Sequence, residues 1–125
     1  MLKKNIYSII VALVILFLSF TGAETFEKLP VPHIPHFDKL VHLGMYFTFM
    51  LALIIENRAL LTNLKKYFIL SIIPVFFGAV IEILQSLLTR TRTGDFFDAC
   101  FNAVGVMLAI IIWLLFKKLR QSEVR

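Results

Sequence analysis

Four long runs of apolar residues, separated by short polar or proline-containing segments, dominate the pattern of the chain. They lie at Ile6–Phe20, Leu40–Ile55, Tyr67–Thr89 and Ala99–Phe116, with charged residues at or near their ends. Most of these runs approach the roughly 20 residues that a helix needs to cross a hydrocarbon layer of about 30 Å. The alternation typical of membrane strands is absent. The pattern therefore predicts four membrane-spanning helices, at about residues 5–22, 38–56, 67–89 and 97–117.

Composition favours a single membrane domain. The 125 residues suit one domain, and 59% of them are hydrophobic whereas only 17% are charged. Thirteen Phe residues would be hard to bury in a water-soluble fold of this size. We therefore expect an all-α, integral membrane four-helix bundle over residues 1–125. A soluble enzyme, a disordered chain and a disulfide-rich secreted domain are excluded.

The distribution of Lys and Arg predicts the orientation. If both termini lie on one side, that side carries nine basic residues: Lys3, Lys4, Arg58, Lys65, Lys66, Lys117, Lys118, Arg120 and Arg125. The other side carries four: Lys28, Lys39, Arg90 and Arg92. The positive-inside rule then places the termini in the cytoplasm. The net charge of +5 does not indicate a nucleic-acid partner, because the basic residues fall at the ends of apolar runs.

The first apolar run has a second interpretation. Lys3 and Lys4, the 15-residue apolar stretch and the small residues of Thr21-Gly22-Ala23 together resemble a signal peptide that would be cleaved near residue 23. We favour an uncleaved first helix, because the run is long for the apolar part of a signal peptide.

Unusual polar residues collect on the predicted outer side. At about 1.5 Å per helical residue, Glu82 lies roughly 10 Å below Thr89, while His42 and Asn102 lie about 6 Å below Asp38 and Asp98. The spacing also places Asp38 and His42 on one helix face, and Asp98 and Asn102 on another. We therefore expect three helices to bring these groups together inside the bundle.

Each of these residues also has a structural interpretation. Glu82 inside a membrane helix costs about 2.5–3.5 kcal/mol and needs a partner, which could be a purely structural ion pair. Asp38, Asp95 and Asp98 could be favoured only by helix N-termini, and Asn102 and Gly105 could serve helix packing. His33, His36, Asp38 and His42 match no closed metal motif, so the sequence predicts neither a metal nor a cofactor.

Three segments resemble the VanZ-like membrane protein family. They are Asp38–His42 followed by Tyr46-Phe47, then Glu82–Gln85, and finally Arg92–Asp98 followed by Asn102 and Gly105. Ala109 stands where a glycine is common in the family. The family takes its name from a protein linked to low-level resistance to the glycopeptide teicoplanin, and the activity of most members is unknown. The resemblance implies the four-helix fold and, by analogy, a bacterial cytoplasmic membrane protein.

Our main hypothesis is a small enzyme or binder acting at the outer leaflet on a cell-envelope precursor or lipid-linked molecule. Proton handling would fall to Glu82 and His42, with Asp98 orienting His42. The substrate-binding candidates are Lys39, Arg92, Gln85, Asn102, Asp38 and Asp95. The alternative is a non-catalytic scaffold whose polar residues only lock the helices. A transporter is less favoured, because the predicted cytoplasmic half lacks polar lining.

Overall fold

The computed structural model describes residues 4–21, 37–88 and 96–125. Within them lie four α-helices: α1 (Ile6–Phe20), α2 (Phe37–Asn57), α3 (Leu64–Leu88) and α4 (Phe96–Glu123). The described residues contain no strand. The predicted all-α bundle is therefore confirmed.

Two helix ends differ from the expectation for identifiable reasons. α3 begins at Leu64 rather than near residue 67, because the side-chain oxygen of Asn63 accepts a hydrogen bond of 3.1 Å from the backbone N–H of Lys66. This N-cap satisfies an amide that the first turn leaves without a partner. α4 continues to Glu123 beyond the apolar run, and Arg120 lies in its last turn, where positive charge is favourable.

α2 and α4 run parallel and form the most extensive helix contact of the bundle. The contact is close because Gly105 on α4 has no side chain, and a Cβ there would lie 2.3 Å from the backbone oxygen of Leu43. Ala109, one turn further along, is fully buried. Small residues thus allow the two backbones to approach, as in many membrane helix pairs.

The helices have the length and surface of membrane spans. α2, α3 and α4 have 21, 25 and 28 residues and are apolar enough to cross a bilayer, whereas α1 is an apolar helix of 15 residues. Large apolar side chains are exposed on the outer faces, for example Phe17, Phe76 and Leu87. Such surface is rare on soluble monomers and suits contact with lipid. The protein is therefore a multi-pass membrane protein.

Polar contacts attach α1 to the bundle at both of its ends. At its start, the Glu56 carboxylate of α2 accepts hydrogen bonds from the backbone N–H groups of Tyr7 (2.6 Å) and Ser8 (3.3 Å). At its end, Nε2 of Gln85 on α3 donates to the backbone oxygen of Ser19 at 2.7 Å. Glu56 thus serves as an N-terminal cap supplied by another helix, where negative charge complements the helix dipole.

Candidate functional site

His42 lies at the centre of a group of polar side chains between α2, α3 and α4. Its Nδ1 atom is 3.1 Å from Oδ1 of Asn102 and 3.9 Å from Oε1 of Glu82. Its Nε2 atom is 3.8 Å from Oδ2 of Asp98. The imidazole therefore stands between two carboxylates that come from two other helices. We name Lys39, His42, Glu82, Asp98 and Asn102 together the polar cluster.

Lys39 forms the outer edge of the polar cluster. One helical turn before His42, it places Nζ 3.6 Å from Oδ1 of Asp98 and 3.9 Å from Oδ2 of Asp38. The Asp38 side chain is 60% exposed, whereas those of Lys39 and Asp98 are each 15% exposed. Exposure therefore falls steadily from the end of the bundle towards His42.

Asn102 forms the inner edge of the polar cluster and is only 2% exposed. Gly78 on α3 leaves room for it, because a Cβ at that position would lie 3.0 Å both from Nδ2 of Asn102 and from the Tyr46 ring. Tyr46 is itself buried, one helical turn after His42 on the same face of α2. The amide is thus enclosed by a glycine and an aromatic ring.

A family model described as VanZ/LLP1 matches residues 5–117, which is nearly the whole chain. The chain belongs to the VanZ/LLP1 family. It is also 31% identical over 128 residues to an uncharacterised protein of Schizosaccharomyces pombe, and the match covers 99% of this chain and 72% of the yeast protein. Because that relative is from fission yeast, similarity alone does not identify a bacterial member. No solved structure matches the chain.

The three segments that resemble the VanZ family meet in the structure. The first and second lie within the described residues, and the third is described from Phe96 onwards. Lys39 and His42 come from the first, Glu82 from the second, and Asp98 and Asn102 from the third. The predicted convergence is therefore observed for these five residues. Arg92 and Asp95 lie outside the described residues, as do Arg90, His33 and His36.

Other predicted residues of the VanZ/LLP1 chain occupy different places. Gln85 is buried but directs Nε2 to α1, and Asp38 lies at the surface beside Lys39. Sequence reasoning missed the backbone oxygen of Ser19 as a partner, and no side-chain pattern could have revealed it. It also missed Glu56 as a cap, although its position at the end of an apolar run was a usable signal.

The polar cluster can hold a proton or a cation inside an apolar bundle. The carboxylates of Glu82 and Asp98 supply negative charge, and Lys39 beside Asp98 supplies one positive charge. An imidazole between two carboxylates can accept a proton and return it, which is the basis of general acid–base chemistry. The polar cluster thus has the groups needed for acid–base chemistry or cation binding, and it also joins three helices.

Proposed function

We propose that this VanZ/LLP1 protein binds and acts on a lipid-linked or cell-envelope precursor at the outer leaflet of a bacterial cytoplasmic membrane. The observation that carries the proposal is the position of the His42 ring between the carboxylates of Glu82 and Asp98, 3.9 Å and 3.8 Å away, within an apolar bundle. Burying two acids in a membrane protein is costly, and intramembrane ionisable residues commonly mark functional sites.

The exposure gradient supports access from the end of the bundle. Lys39 and Asp98 retain 15% exposure of their side chains, and His42 and Glu82 lie directly behind them. An anionic headgroup arriving from the outer leaflet would meet Lys39 first. In this proposal His42 and Glu82 exchange protons with the bound molecule, and Asn102 orients His42 through the contact at Nδ1. Arg92 is proposed to add a second positive charge.

The orientation in this proposal rests on the count of nine basic residues against four. It places the termini in the cytoplasm and the polar cluster at the outer face. The test is labelling of intact cells with a membrane-impermeant maleimide after Cys100, the single cysteine of the chain, is replaced by serine. Cysteine at the exposed position of Asp38 should react, and cysteine at the exposed position of Ser122 should not. The reverse pattern would refute the orientation.

The functional test compares two substitutions of the same chemistry at opposite ends of the bundle. In a strain whose teicoplanin resistance depends on this gene, Glu82→Gln should lose resistance while protein level and melting temperature stay near those of the wild type. Glu56→Gln removes the same charge far from the polar cluster and should retain resistance. Full resistance with Glu82→Gln at normal protein level would contradict the proposal.

A structural role for the polar cluster is the second candidate. It is favoured by the low exposure of His42, Glu82 and Asn102, and by the Gln85–Ser19 hydrogen bond that ties α1 to the same end. A scaffold predicts that each substitution lowers resistance only as far as it lowers the amount of folded protein. Plotting resistance against folded protein for a series of cluster variants therefore separates the two candidates.

A further inference from the structure

We propose that His42, Glu82 and Asp98 form a binding site for a divalent transition-metal cation. The three residues each offer one ligand atom, and these atoms all lie within 4.8 Å of one another. The inference deepens the proposed function, because it concerns the same polar cluster. It departs from the sequence prediction, in which no metal site was found.

The distances lie close to those of a coordinated ion. Ligand atoms about 2.0–2.2 Å from a tetrahedral cation are roughly 3.4 Å from each other. The three ligand atoms are at most 4.8 Å apart, so shifts of about 1 Å between these side chains would bring them to this spacing. The ligands come from α2, α3 and α4, whose packing holds them at the same level of the bundle.

Asn102 supports a metal-binding role for His42. In the tautomer in which Nδ1–H of His42 donates to Oδ1 of Asn102 at 3.1 Å, the lone pair of Nε2, which faces Asp98, is free for a cation. Metal-binding histidines commonly donate their other N–H to an oxygen in this way. Asn102 is 2% exposed, so this contact is shielded from solvent.

Charge balance also favours a divalent cation. The carboxylates of Glu82 and Asp98 together carry two negative charges, which a divalent cation neutralises in a region of low dielectric constant. Lys39 has Nζ 3.6 Å from Oδ1 of Asp98 and 3.9 Å from Oδ2 of Asp38, so Asp38 can keep it paired when the cation binds Asp98. One imidazole with two carboxylates suits Zn²⁺, Mn²⁺ or Fe²⁺ better than Ca²⁺ or Mg²⁺, which prefer sites built only from oxygen.

The experiment uses the full chain, purified in detergent, with Zn²⁺ as the probe. We expect about one Zn²⁺ per chain by elemental analysis after gel filtration, as for a defined ligand set. Co²⁺ should give the visible absorption of a coordinated ion, and that band should disappear with His42→Asn. Glu82→Gln and Asp98→Asn should weaken Zn²⁺ binding at least roughly tenfold. Replacing even a residue that only hydrogen-bonds to a metal ligand typically lowers metal affinity by that factor.

Glu56→Gln is the matched control and should bind Zn²⁺ like the wild type. Far-UV circular dichroism tests whether each variant is folded. If Glu82→Gln is unfolded, the Zn²⁺ stoichiometry of the wild type and its Co²⁺ spectrum decide whether the metal site exists. Wild-type protein without stoichiometric Zn²⁺, or with a Co²⁺ band that persists in His42→Asn, would overturn the metal site. If Glu82→Gln then still abolishes resistance at normal folded level, the proposed function stands without the metal.

Discussion

Gly105→Ala tests whether the close approach of α2 and α4 builds the polar cluster. The new Cβ would lie 2.3 Å from the backbone oxygen of Leu43 and 3.1 Å from the backbone nitrogen of Phe47, whereas ordinary contact begins near 3.4 Å. A backbone oxygen cannot rotate away as a side chain can. The two helices must therefore separate locally by about 1 Å, which is the difference between the 2.3 Å approach and the 3.4 Å at which ordinary contact begins.

The magnitude follows from overpacking at a site that cannot yield. Such insertions cost about 1–3 kcal/mol, and we expect Gly105→Ala to lower the free energy of unfolding by that amount. Leu43 adjoins His42, and Asn102 precedes Gly105 by three residues. Separation of α2 from α4 would therefore lengthen the 3.1 Å contact between His42 and Asn102 and weaken the site as well.

The assay is unfolding in sodium dodecyl sulfate, followed by the fluorescence of Trp113, the single tryptophan of the chain. Trp113 packs against the buried core from α4, so its emission reports loss of tertiary structure. The matched control is Gly44→Ala on α2, where a Cβ would meet nothing within 4 Å. That control should be unchanged or more stable by up to about 1 kcal/mol, since alanine favours helix over glycine. Equal unfolding curves for Gly105→Ala and Gly44→Ala would refute the reasoning.

Three further predictions follow from individual contacts. Gly78→Ala brings a Cβ to 3.0 Å from Nδ2 of Asn102 and from the Tyr46 ring, and both side chains can shift. We therefore expect the free energy of unfolding to fall by about 1 kcal/mol and resistance to decrease. Unchanged resistance would contradict this prediction. Glu56→Leu removes the acceptor for two α1 amides and should cost about 1–2 kcal/mol in the same unfolding assay, and wild-type stability would show that this cap contributes nothing. Zn²⁺ at a hundred times its dissociation constant should stabilise the wild type by about 2.7 kcal/mol, a gain that EDTA reverses. The Glu82→Gln variant should show no such gain, and an equal gain in that variant would place the ion elsewhere.

The fold was predictable because membrane helices must be long, apolar and internally hydrogen-bonded. The helix boundaries at Asn63 and Glu123 were less predictable, since one depends on a side-chain cap and the other lies beyond the apolar run. Periodicity also placed His42, Glu82 and Asn102 at similar depth on faces that could meet. The expectation that these residues converge therefore followed from helix geometry.

The pairing within the site could not be read from the sequence. Helix periodicity gives the direction of each side chain about its own axis, but the separation and rotation of neighbouring helices depend on contacts such as Gly105 against Leu43. Those contacts decide that His42 meets Asn102 and that Gln85 reaches α1.

The contact between His42 and Asn102 joins residues 60 positions apart in the chain, which bears on how the protein is made. Ribosomes synthesise α2 and α3 before α4, so Lys39, His42 and Glu82 leave the ribosome ahead of Asp98 and Asn102. Because His42 contacts residues of both α3 and α4, its set of polar partners is complete only once α4 has joined the other helices.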